Sequence, residues 1–139
     1  MNRPGRHYNF TWDTVGRWAA ERPDALALLC VKVDTPPIET RLTFRRLFRE
    51  ACRAANFFKA HRIEKGDRVM VMLPRIPEWW IVMLALDLIG AIPAPASLLL
   101  SREELEFRVR SCNPKAIVAE AADAEDVSFF DGIRVGVNG

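Results

Sequence analysis

Arg75 has the sequence setting that points most directly to chemistry. Pro74 and Pro77 fix the backbone around it and aim a guanidinium that could meet a carboxylate or phosphate. A surface ion pair with Glu78 is the structural alternative. Phosphate handling ordinarily needs a glycine-rich loop before a helix, and the spaced glycines from Gly132 to Gly139 have neither a Lys-Ser/Thr ending nor a following helix. They read as turn and strand glycines. His7 and His61 stand apart, without a neighbouring Cys or His, and are assigned no role. Asp123, Glu125, Asp126 and Asp131 fit no calcium-loop spacing and read as a solvated face, so no metal site is expected. Cys30, Cys52 and Cys112 lack a C-x-x-C spacing and read as reduced, buried thiols.

The elements that must position these residues show helical and strand periods in turn. Thr11 is placed to cap a short helix with Trp12, Val15, Trp18 and Ala19 on one face, ended by Arg22-Pro23-Asp24. Two apolar runs, Ala25 to Val33 and Ile38 to Phe44, flank Asp34-Thr35-Pro36-Pro37 and predict a hairpin. From Phe44 to His61 the apolar residues recur at helical spacing, opposite a row of Arg45, Arg49 and Arg53. Val69 to Leu73 is continuously apolar, as in a central parallel strand covered on both faces. Helix Glu78–Ile89, strand Ala91–Pro95, helix Arg102–Cys112, strand Lys115–Ala119, helix Ala122–Phe130 and strand Ile133–Val137 follow. The fold class is therefore α/β, a parallel sheet with alternating helices plus an N-terminal hairpin. Active residues of such sheets follow the carboxyl ends of the strands, which here means Pro74 to Pro77, Ala96-Ser97, Glu120 and Asn138-Gly139.

Composition narrows the classes. The chain has 139 residues, half of them hydrophobic, enough for one ordinary core. A net charge of +2 with interspersed signs demands neither nucleic acid nor a membrane surface. The arginine row, extended by Arg41, Arg46 and Arg62, is interrupted by Glu50 and has no exposed aromatic platform for bases, so no nucleic-acid partner is expected. The apolar run from Trp79 to Ala96 is broken by Asp87, Gly90 and prolines, which argues against a membrane span. The Trp79-Trp80 pair and the apolar residues after it read as a buried helix. The polar opening Met1 to His7, without a signal-peptide pattern, suggests a cytoplasmic address.

Gly66-Asp67-Arg68-Val69-Met70-Val71-Met72-Leu73-Pro74-Arg75-Ile76-Pro77-Glu78-Trp79-Trp80 closely resembles the medium-chain-type acyl-CoA synthetases of the adenylate-forming (AMP-binding) superfamily. The resemblance extends from Tyr8-Asn9-Phe10-Thr11-Trp12-Asp13 through Leu42-Thr43-Phe44-Arg45-Arg46-Leu47 to Lys115-Ala116-Ile117-Val118-Ala119. It implies a ligase that makes an acyl-adenylate from a carboxylic or fatty acid and ATP with Mg²⁺, then transfers the acyl group to CoA. It also implies that residues 1–139 form a single partial domain, the start of the family's N-terminal domain, with 1–24 as an N-terminal helix segment and 25–139 as the α/β core.

The family's phosphate loop, aromatic-Thr-Glu segment, ribose-binding Asp and C-terminal-domain Lys do not occur among these residues. The resemblance therefore implies no catalytic residue and no cofactor held by this chain alone, although the parent family uses ATP, Mg²⁺ and CoA. Its implied partner is the remainder of a synthetase, or a second copy through self-association. Where the medium-chain branch reads Gly-Thr-x-Gln, this chain reads Ala96-Ser97-Leu98-Leu99, with Leu99 at the Gln position. A leucine supplies no hydrogen bond there, which leaves Ser97 as the CoA-region candidate and Arg75 as the anion candidate. The alternatives are a non-catalytic α/β interaction module and one subunit of a split synthetase.

Overall fold

The computed structural model describes residues 7–123 and 125–138. A π-helical stretch, Thr11–Gly16, runs into α1 (Arg17–Glu21). β1 (Leu26–Lys32) and β2 (Ile38–Thr43) form an antiparallel hairpin separate from the main sheet. There follow α2 (Phe44–Ala60), β3 (Arg68–Met72), α3 (Pro77–Ile89), β4 (Ile92–Pro95), α4 (Arg102–Cys112), β5 (Ala116–Glu120) and β6 (Ile133–Val137). The four later strands form a parallel sheet in the order β4-β3-β5-β6. The α/β architecture with an N-terminal hairpin is thus as expected.

The continuous apolar runs of β3 and β5 have a direct structural reason. Val69, Val71, Ala116 and Val118 face a core that includes Phe58 of α2 and Val82, Ala85 and Leu86 of α3. Met70, Met72, Ile117 and Ala119 face the opposite side, with Leu105 of α4 and Val127. Because successive side chains alternate between faces, a strand covered on both must be apolar at every position. A third cluster of Val15, Leu42, Leu47, Ala51 and Leu84 fastens the N-terminal segment and hairpin to α2 and α3.

Local chemistry sets the element ends. Thr43 accepts the Arg46 amide at the start of α2, and Ser101 with Glu104 forms a reciprocal capping box on α4. Gly90, at φ 74°, closes α3 in the left-handed conformation and leads directly into β4.

Several expectations are corrected. Thr11 does not cap a helix, since Phe10 before it is already helical and the Thr11 hydroxyl is drawn to Leu84 O and Asp87 Oδ2 instead. Ala122–Phe130 is not a helix. Only Ala121–Asp123 forms a 3₁₀ turn, and the amides of Asp126, Ser128 and Phe130 bond three residues back, to Asp123, Glu125 and Val127. Asp, Ser, Val and Phe are indifferent helix formers, and burial of Val127 with partial burial of Phe129 and Phe130 decides the path. The three cysteines are free but half-buried rather than buried.

Candidate functional site

The carboxyl ends of β3 and β4 open into a groove of about 780 Å³. One wall is the hairpin strand from Leu28 to Val31, and the other is α3 through Trp79 and Trp80. The floor consists of Leu73-Pro74-Arg75 after β3 and Ala96 to Leu99 after β4. A parallel sheet brings these two strand ends together although they are distant in sequence. Arg75 and Ser97, the two candidates from sequence, therefore line one groove.

Arg75 is exposed, and among the described residues it forms no ion pair, with Glu78 or any other carboxylate. Its guanidinium remains available to an anion. Ser97 Oγ accepts the Leu99 amide at 3.1 Å, leaving the hydroxyl proton to donate to another group. Leu99 itself is 93% exposed, so the apolar side chain at this position stands in solvent with no core to fill. Cys30 also lines the groove. Burial first, and the nearby Glu78 carboxylate second, push its thiol up from the usual value, so at neutral pH it is protonated and a poor nucleophile.

The groove is an apolar trough carrying one cation and one hydroxyl. It can hold an elongated molecule with an apolar part and an anionic end, but it contains no general base and no oxyanion-type cluster. Sequence reasoning treated the tryptophan pair as core. Trp79 does pack on the core, whereas Trp80 is 46% exposed and helps to form the groove wall. The hairpin's contribution was not foreseeable from β1 itself, because the wall depends on a tertiary placement.

Elsewhere the charged candidates are occupied or dispersed. Arg49 and Arg53 both pair with Glu50, and Arg45 pairs with Asp24. His61 Nδ1 lies 2.9 Å from Phe57 O, and its ring lies 4.2 Å from the Phe57 ring. Among the described residues no three His, Cys, Asp or Glu side chains gather as a metal-binding group. Among the described residues no helix is long and apolar enough to cross a membrane.

Residues 15–134 match the AMP-binding enzyme family. The chain belongs to that family. It is 36% identical over 114 residues to an acetyl-coenzyme A synthetase of Syntrophus aciditrophicus, covering 82% of this chain and 18% of that protein. It is 34% identical over 110 residues to the acetyl-coenzyme A synthetase of Brucella canis, covering 79% and 17%. The chain thus spans less than a fifth of the length of these relatives. Among solved structures, an acyl-CoA synthetase of Brucella canis superposes with a TM-score of 0.84 at 24% identity, covering 100% of this chain and 26% of that one. A fatty acid AMP ligase of Legionella pneumophila gives 0.81 at 16% identity, covering 91% and 23%. At those identities the superpositions establish the fold. The acyl-CoA synthetase resemblance read from residues 66–80 is borne out by the sequence relatives, and the groove described above lies within the residues that match the family.

Proposed function

We propose that these residues form the opening part of the N-terminal domain of an AMP-forming acyl-CoA synthetase, of the medium-chain type that activates fatty or aromatic acids. The parent reaction joins a carboxylic acid to ATP as acyl-adenylate and diphosphate, then passes the acyl group to the CoA thiol with release of AMP. The observation that carries this reading is the family match over residues 15–134 together with an apolar groove bearing Arg75 and Ser97 at the strand ends. In the assembled enzyme Arg75 would receive an anionic group and Ser97 would donate to a CoA-side polar group, with Leu99 contributing no hydrogen bond.

Alone, the chain is expected to be inactive, since it has neither a loop to hold the ATP phosphates nor the adenylation lysine. ATP, Mg²⁺ and CoA would bind only once the rest of a synthetase is present, whether on the same polypeptide or on a second one. Consumption of ATP and CoA, together with free cysteines, favours a cytoplasmic setting. Acid-dependent exchange of diphosphate into ATP tests the proposal. The isolated chain should give background exchange, and adding a polypeptide that carries the phosphate loop and C-terminal domain should raise it. Turnover by the isolated chain would overturn the claim of inactivity, and no gain on complementation would count against a split enzyme.

A further inference from the structure

We draw no further inference here: the strongest candidate, the trough of about 810 Å³ between β4 and α4 lined by Met70, Ala94, Ala96 and the exposed Phe107, carries nothing, because nothing in the structure shows what covers it in a chain that spans less than a fifth of its relatives' length.

Discussion

Thr11 and Asp87 are joined twice across 76 residues of sequence, the Thr11 amide reaching Asp87 Oδ2 at 2.8 Å and its hydroxyl the same oxygen at 2.7 Å. Thr11 is fully buried, and its hydroxyl also lies 2.9 Å from Leu84 O. Asn9 adds a third link, donating from Nδ2 to Asp87 O at 2.7 Å. The N-terminal segment is therefore held by polar bonds to the last turns of α3, the helix whose first turn supplies the groove wall.

Removing this latch has a defined cost. Thr11→Val keeps the shape but deletes a buried donor facing a carboxylate, and should lower unfolding free energy by about 1–2 kcal/mol. Asp87→Ala leaves the buried Thr11 amide without its acceptor, while the hydroxyl keeps Leu84 O, and should cost more, about 2–3 kcal/mol. Urea unfolding of the two variants against the parent chain checks both the size and the order. Equal stability in all three would mean that the latch carries no net energy.

The turns that aim β3 and β4 depend on two glycines. Gly66 has φ 87° and Gly90 has φ 74°, and the Gly66 amide bonds Gly90 O at 2.9 Å. Alanine in the left-handed region costs about 1–2 kcal/mol at either position. At Gly90 a Cβ would also come within 3.0 Å of Lys65 Cγ, whereas at Gly66 it meets nothing within 4 Å. Thermal melts should therefore rank Gly90→Ala below Gly66→Ala, with both below the parent.

Arg75 separates a binding role from a structural one. It is exposed and unpaired among the described residues, so Arg75→Ala should change stability by less than about 0.5 kcal/mol. If it receives an anion in the groove, the same change should weaken binding of an apolar-tailed carboxylate or phosphate about tenfold or more, through loss of a charge-assisted bond. Quenching of the Trp79 and Trp80 fluorescence during a fatty-acid titration would report it. Unaltered binding in the variant would remove Arg75 from the site.

How much of this was legible in the sequence follows from which forces were local. The parallel strands were readable because coverage on both faces demands unbroken apolar runs, as in Val69 to Leu73 and Ala116 to Ala119. The extent of α2 was readable from the helical recurrence of its apolar residues, and the start of α4 because Ser101 bonds an amide three residues away. Thr11 was misread because its hydroxyl is claimed by α3, a partner no window of sequence can show. The segment after β5 was misread as a helix because its apolar residues are buried without helical bonding. Strand-end logic located Arg75 and Ser97, but that the hairpin strand Leu28–Val31 and Trp80 wall the same groove is a consequence of tertiary packing alone.

Acid stability should depend measurably on Asp67. Its Oδ2 accepts Lys115 Nζ at 2.6 Å and the Glu64 amide at 2.7 Å, and Lys115 Nζ also donates to Arg62 O at 2.5 Å. The bond from Lys115 first, and the Glu64 amide second, hold the Asp67 carboxyl below its usual value. In the unfolded chain, with a pKa of about 3.9, it takes up a proton at higher pH than in the folded one. Stability from this group is therefore fully present above about pH 5 and disappears as the pH falls through the lower folded value. Asp67→Asn should flatten the acid limb of a plot of melting temperature against pH. At neutral pH it should cost about 1 kcal/mol, a modest figure because the carboxylate is a quarter exposed and Lys115 keeps its bond to Arg62. Glu104, held down by the Ser101 amide and then the Ser101 hydroxyl, acts in the same direction, so Glu104→Gln should also flatten the acid limb, independently of Asp67→Asn. An Asp67→Asn profile parallel to the parent's at every pH would show that Asp67 does not couple folding to protons.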